Sequence, residues 1–303
     1  MVRAHFEHGS VPWTDAAISG FILDPDRKKM SKSKGNVVTP EALVKEHSAD
    51  AVRYWACSGR LGTDAAFEPG QIKVGRRLAI KILNASKFAL GFGEVEGDLH
   101  AAVTEPLDRS MLAALADVVR SATAGFEAWD YTRSLELTES FFWTFCDDYL
   151  ELVKQRAYGA HGEAAAASAR AALRIALRVL LRLLAPILPY VTEEVWSWWQ
   201  AGSVHRQPWP DPQEALPAGM PGDPAVLPAV GAALAAVRKV KSEAKVGMRA
   251  GITSMTLALP EALTAAVQAA EADLRAAGRI ETLGYAAADA LELRDAVLTP
   301  PAG

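Results

Sequence analysis

The sequence predicts a mainly α-helical protein, with a bundle in the middle of the chain and a small α+β unit at its end. Three observations predict this. From residue 108 to residue 200 apolar residues recur at spacings of three and four, the period of helices that bury one face. Period-two alternation is confined to short stretches near the two ends, where it marks strands. Half of the 303 residues are apolar, enough for the cores of two or three domains.

Taken in order, Ala16–Leu23 is apolar and ends at Asp24-Pro25-Asp26, which reads as a strand closing on a turn. Thr39-Pro40-Glu41 supplies an N-cap, a proline at the first helical position and an acid in the first turn. That helix breaks near His47-Ser48 and resumes to Ser58, with Gly59 as its stop. Ile72, Leu78, Ile82, Leu83 and Phe88 place one helix over Gln71–Leu90, ended by Gly91-Phe92-Gly93. Those glycines follow a helix and not a strand, so they are no dinucleotide-binding turn. Residues 94–106 are acidic and read as a linker. The bundle helices are expected at Asp108–Ala128, Tyr131–Ala157, Glu163–Leu184 and Pro189–Gln200. Residues 211–228, rich in Pro and Gly, read as a connector. The tail gives a helix over Ala229–Lys245, a strand over Ser254–Leu259, a helix over Glu261–Ala277 and a strand over Ala290–Val297. That order is a small α+β cap.

One segment stands apart chemically. Lys29-Met30-Ser31-Lys32-Ser33-Lys34-Gly35-Asn36 packs three lysines, two hydroxyls and a glycine into one short loop. Ammonium groups suit phosphate oxygens, and the serines add neutral donors. A loop that brings such donors to charge developing on a leaving pyrophosphate lowers a barrier, each donor being worth roughly 2.7–4 kcal/mol.

The string Lys29-Met30-Ser31-Lys32-Ser33 resembles the signature loop of the class I aminoacyl-tRNA synthetases, and its extension to Pro40 is similar to their valine, isoleucine and leucine branch. Ser48-Ala49-Asp50-Ala51-Val52-Arg53-Tyr54-Trp55 resembles the helix that trails the loop there, although the family usually carries Gly where Ser48 stands. Phe141–Lys154, Pro186–Trp196 and Ser203–Pro210 resemble the C-terminal part of the valyl members in particular. The resemblance runs over nearly the whole chain and weakens after about residue 250.

The resemblance implies a C-terminal remnant of a Rossmann-type catalytic domain at residues 1–36, a stem-contact helical region at 37–98, an anticodon-binding bundle at 107–210 and the α+β cap at 229–303. It implies ATP-dependent ligation of valine to tRNA(Val), with Lys29 and Lys32 acting on the chemistry and Lys29, Met30, Ser31, Lys32 and Ser33 holding ATP and pyrophosphate. Mg²⁺ is expected to arrive with ATP, and no metal held by the protein itself is expected. The full-length enzyme is expected to be a monomer. The chain contains no His-x-Gly-His string and no segment of the length of the family's editing domain. It is therefore expected to be a fragment or split subunit that does not aminoacylate alone and meets ATP and valine only with the missing half. Many valyl enzymes also carry a C-terminal coiled coil, which this sequence lacks.

RNA contact is expected at Lys73, Arg76, Arg77 and Lys81 just after the loop, and at Tyr131, Arg133, Lys154 and Arg156 flanking the second bundle helix. Arg170, Arg174, Arg178 and Arg182 recur every four residues, giving either a basic stripe or the solvated outer face of a bundle helix. Trp143, Trp196, Trp198 and Trp199 are stacking candidates that core packing also explains. Asp147 and Asp148 more simply cap, pair with arginine or accept a base donor than bind metal, for want of a third ligand.

Composition narrows the rest. A net charge of −4 and a pI of about 5.9 argue against a nonspecific nucleic-acid coat but leave local basic patches. Cys57 and Cys146 lie far apart, as suits a reduced cytoplasmic compartment. Met1–Phe6 has no apolar core for a secretory leader. The apolar run Leu173–Leu188 is broken by Arg174, Arg178, Arg182 and Pro186, so no membrane span is expected. Two other readings stay open on the residues alone: a noncatalytic tRNA- or RNA-binding module, and an isoleucyl segment. A helical scaffold without RNA is a third.

Overall fold

The computed structural model describes residues 1–299. The chain opens with α1 (Val2–His8), which buries no residue. The strand expected over Ala16–Leu23 contracts to β1 (Ile22–Leu23), with isolated antiparallel bridges from Ser19 to Leu61 and from Leu23 to Lys29. The cause is a missing core: Ile18, Phe21 and Ile22 are 73%, 65% and 51% exposed, so no burial holds the extended chain.

Two helices follow, α2 (Pro40–His47) and α3 (Ala49–Cys57). The break falls at Ser48, whose φ of 89° lies in the left-handed region, which is why a glycine suits the position in relatives. Ser48 compensates through its hydroxyl, which accepts the Ala51 N–H at 3.4 Å. Next come β2 (Ala65–Ala66), which pairs in parallel with β1, and α4 (Pro69–Leu90). α4 crosses α3 where Gly75 lies against the ring of Tyr54.

Residues 94–106 are not a loose linker. They carry α5 (Leu99–Ala102) and a fully buried Val103. The Thr104 and Glu105 N–H groups donate to Ser168 Oγ at 3.0 and 3.1 Å, so the segment is fastened to the bundle.

The bundle comprises α6 (Pro106–Glu127), α7 (Tyr131–Thr144), α8 (Leu150–Ala157), α9 (Glu163–Leu184) and α10 (Pro189–Ser197). The single helix expected over Tyr131–Ala157 is divided by a π-helical turn at Phe145–Tyr149. That extra residue per turn re-aims the following side chains. It brings the Tyr149 hydroxyl within 2.8 Å of the Asp108 carboxylate. The arginine row on α9 is not a solvent-facing stripe. Arg182 is 6% exposed and pairs with Glu214 at 2.6 Å. Arg170 donates to the Ala157 carbonyl at 2.9 Å, and Arg174 to the Gly93 carbonyl at 2.5 Å. Burial on nearly every side of α9 turns Arg170 and Arg174 into carbonyl caps and Arg182 into half of an ion pair.

Helix α3 is bolted to this bundle. Asp50 accepts the N–H groups of Tyr190 and Val191 at 3.0 and 2.8 Å, capping α10, and Arg53 donates to the Pro186 carbonyl at 2.6 Å.

The connector holds α11 (Pro212–Ala215), started by an Asp211/Glu214 capping box. Then follow α12 (Val226–Glu243), β3 (Ile252–Leu259), α13 (Glu261–Gln268), α14 (Glu271–Gly278), β4 (Ile280–Ala287) and β5 (Glu292–Leu298). The sheet order is β4-β3-β5, with β4 parallel and β5 antiparallel to β3. The α+β cap is thus a βαβ unit with an added edge strand, where sequence showed one helix and no β4. Residues 300–303 of the expected cap lie outside the described residues.

A candidate phosphate loop and RNA face

The lysine loop is built on Asp24 and Asn36. Asp24 Oδ1 accepts the Lys28 N–H at 2.7 Å, and its Oδ2 accepts Asn36 Nδ2 at 2.8 Å. Asn36 Oδ1 accepts the Ser31 N–H at 2.9 Å, while its Nδ2 also reaches the Lys29 carbonyl at 3.3 Å. The backbone adds an antiparallel bridge between Leu23 and Lys29. Both ends of the loop are thereby tied together. The Lys28 backbone bond, then the Asn36 amide, hold the Asp24 carboxyl below its ordinary value. It stays an anion that serves as an acceptor for the loop.

The tip is presented outward. Lys32–Lys34 form a 3₁₀ turn ended by Gly35, at φ 66°, a left-handed conformation that glycine takes without strain. Lys29, Lys32 and Ser33 are exposed, while Met30 and Ser31 are half-buried. Among the described residues neither Lys29 nor Lys32 forms an ion pair. Lys29 Nζ rests 5.4 Å from the centroid of Phe21, and the Ser31 and Ser33 hydroxyls lie 3.3 Å apart. The donor set is cationic and hydroxylic, which fits phosphate oxygens and not a bare divalent cation. Sequence reasoning missed Asp24 and Asn36. Their signal was present in the Asp24-Pro25-Asp26 turn and in the asparagine that follows Gly35.

The expected RNA-contact residues separate into groups. Lys73, Arg76 and Arg77 are exposed along α4, with Arg76 donating to the Glu46 carbonyl at 2.8 Å. Lys81 pairs with Asp147 at 2.8 Å and lies 5.7 Å from the Trp143 ring centroid. The Tyr131 hydroxyl donates to the Gly59 carbonyl at 2.9 Å. Arg133 is exposed, 3.9 Å from Glu136. Lys154 is half-buried, 3.5 Å from Glu151.

Arg156 is a correction. It is 2% exposed and sits between Asp108 and Asp273, donating Nη1 and Nη2 to Asp108 at 2.7 and 2.8 Å and Nε to Asp273 at 2.9 Å. A guanidinium so enclosed is structural, and RNA has no path to it. Its place in the helix faces the core because the π-helical turn rotates α8.

Between α4 and the π-helical turn lies an open groove of about 250 Å³, lined by Lys81, Asn84, Phe88, Cys146, Leu150 and Lys154. Here sequence reasoning found the two lysines and missed Asn84 and Phe88, which read as ordinary helix positions. Phe88 is held edge-on by Phe92 at 5.1 Å and by Tyr158 at 6.3 Å. Burial pushes the Cys146 thiol up to about 12, so this cysteine is an apolar wall and not a nucleophile. Of the tryptophans, Trp196 is buried and Trp198 is 39% exposed. Asp148 pairs with Arg238 at 3.1 Å, and among the described residues no group of three or more metal-ligating side chains occurs. Nor, among them, is any helix long and apolar enough to cross a membrane.

Residues 108–256 match the family model described as the anticodon-binding domain of tRNA ligase, and residues 1–68 match that of the class I tRNA synthetases for I, L, M and V. The chain belongs to the class I aminoacyl-tRNA synthetases. Within the class it corresponds to the C-terminal part of the valine–tRNA ligases. It is 61% identical to the valine–tRNA ligase of Thermobifida fusca over 303 residues, covering 100% of this chain and 34% of that protein. It is 57% identical to that of Salinispora arenicola, covering 95% of this chain and 36% of the relative. The chain thus spans about a third of the length of these relatives. A LeuRS structure from Agrobacterium radiobacter K84, solved as a ternary complex with tRNA and LeuAMS, is similar at TM-score 0.51 and 23% identity, over 66% of this chain and 24% of that one. That likeness concerns the fold.

Proposed function

We propose that this chain supplies the phosphate loop and the tRNA-binding portion of a valine–tRNA ligase, at work in the cytoplasm. In the reaction, the valine carboxylate attacks the α-phosphorus of ATP, the bond to the β-phosphate oxygen breaks, and pyrophosphate leaves. A ribose hydroxyl at the 3′ end of tRNA(Val) then attacks the carbonyl carbon of the valyl-adenylate, the acyl–phosphate bond breaks, and AMP leaves. Lys29 and Lys32 neutralise the departing pyrophosphate, and Ser31 and Ser33 add hydrogen bonds. Charge that builds in the transition state is what such donors recognise best. Mg²⁺ enters with ATP. The observation that carries this reading is the division of labour in the loop: Asp24 and Asn36 take up the polar groups of its stem, while both lysines stay exposed and, among the described residues, without an ion pair.

The tRNA lies along α4. Lys73, Arg76 and Arg77 meet phosphates, and the groove at Asn84 and Phe88 receives an unpaired base, stacked on the ring and bonded at its edge. The test joins this segment to the N-terminal part of the Thermobifida fusca ligase and follows valine-dependent ATP–pyrophosphate exchange. Lys32→Ala should lower exchange by about 10²–10³ without changing tRNA affinity. Undiminished exchange would remove the role given to Lys32.

A further inference from the structure

A second basic cavity lies outside both the loop and the α4 groove. It opens between α8, α12 and α14, has a volume of about 410 Å³, and gathers Lys154, Arg238, Lys241, Arg249 and Arg279 around one carboxylate, Glu151. Five cations around one cavity are unexpected in a chain whose net charge is −4. Two of them are committed elsewhere in part: Arg238 pairs with Asp148 at 3.1 Å, and Lys154 stands 3.5 Å from Glu151. Arg249 and Arg279 are exposed and, among the described residues, join no ion pair or side-chain hydrogen bond.

Lys241 forms the floor. It is 2% exposed, and its ammonium donates to the Gly278 carbonyl at 2.7 Å and the Met248 carbonyl at 3.2 Å. An ammonium has three donors, so one remains for a ligand in the cavity. Burial, and then the nearby Arg279, hold its proton affinity below the ordinary value. An anion in the cavity would offset the repulsion from Arg279.

The wall is also continuous with the groove, because Glu151 and Lys154 line both. A ligand that fills the two combines an apolar ring, for the groove, with a negative charge, for the cavity. The geometry points to a phosphodiester of a single-stranded RNA segment, seated among Lys241, Arg249 and Arg279, whose neighbouring base occupies the groove at Phe88. Stacking plus a cationic track is the common physics of unpaired strands. The assignment rests on the tRNA-binding reading above and extends it to the α+β cap.

The experiment titrates the full chain into fluorescein-labelled tRNA that accepts valine, by anisotropy, across a salt series. Arg249→Gln with Arg279→Gln alters two exposed side chains and leaves Lys241 and the fold in place. Each single-strand phosphate contact contributes about 0.7 to the slope of log affinity against log salt. The double variant should therefore lose about 0.7 in slope, the share of the one phosphate seated there, and bind roughly tenfold more weakly at low salt. Lysine at both positions should recover most of the slope. Wild-type binding with an unchanged slope in the double variant would overturn the cavity while leaving the tRNA reading intact. No wild-type binding at all would overturn both. Saturable binding of inorganic phosphate, abolished in the double variant while tRNA affinity and slope stay the same, would make this a free-anion site and overturn the RNA assignment.

Discussion

Replacing Arg156 by methionine should unfold the junction between the bundle and the α+β cap before it affects any surface property. The side chain donates to both Asp108 oxygens at 2.7 and 2.8 Å and to Asp273 at 2.9 Å, and all three residues are 5% exposed or less. Methionine keeps the apolar stem but removes every donor. Asp108 would retain two, the hydroxyls of Tyr149 at 2.8 Å and Ser168 at 2.6 Å. Asp273 would retain no side-chain donor among the described residues. Removing one partner of a buried pair costs about 3–5 kcal/mol. In a unit of about 200 residues that lowers Tm by roughly 6–20 °C. Urea unfolding followed by tryptophan fluorescence measures it. Asp273→Leu added to Arg156→Met should recover about half the loss, since it removes the stranded carboxylate. A cost below about 1 kcal/mol, the worth of an exposed ion pair, would refute the reasoning and mean that water or rearrangement satisfies these groups.

Three further outcomes follow from the same geometry. Gly75→Ala should cost about 1–3 kcal/mol, because the added Cβ would lie 2.6 Å from Tyr54 Cβ and that ring is held by Glu139 at 2.7 Å; thermal unfolding by circular dichroism checks it. The Asp24 carboxyl is depressed on folding from its ordinary 3.8, so its stabilisation of the loop stem is fully present above that pH and lost as pH falls through the lower folded value. NMR of the Asn36 side-chain amide should show it protected at pH 5 and freed only below about pH 3.8. In the joined enzyme, Asn36→Ala should lower kcat for exchange more than it raises KM for ATP, since it loosens the stem and leaves both lysines in place; equal binding and turnover to wild type would mean the stem is held without the amide.

Helical order was readable from spacing because bundle helices bury one face, and α9 came out at the same residues, Glu163–Leu184, that the pattern marked. The loop was readable because its chemistry is concentrated in consecutive residues. What was not readable depended on distant partners. β4 buries only Ile280 along its length, so its strand state comes from pairing with β3 and leaves little alternation to see. Arg156 carries the same letter whether it faces water or two aspartates 48 and 117 residues away. The π-helical turn that decides between those fates leaves no periodic trace, since one extra residue resembles ordinary scatter in a helical pattern.

The same partition explains how an acidic protein can present basic sites. Asp24, Asp50, Asp108 and Asp273 are all buried, and each is committed to backbone N–H groups, an amide, hydroxyls or a guanidinium inside the fold. Their charge is compensated locally and projects little field into solvent. Lys29, Lys32, Lys73, Arg77, Arg249 and Arg279 are exposed and join no ion pair among the described residues. A polyanion approaching these faces therefore meets the uncompensated cations and not the average of −4. Net charge then predicts solubility and nonspecific behaviour, whereas affinity for RNA follows the salt slope of the few contacts these cations make. An acidic chain with a steep slope is the expected combination, and a shallow slope would mean that stacking at Phe88 outweighs the phosphate contacts.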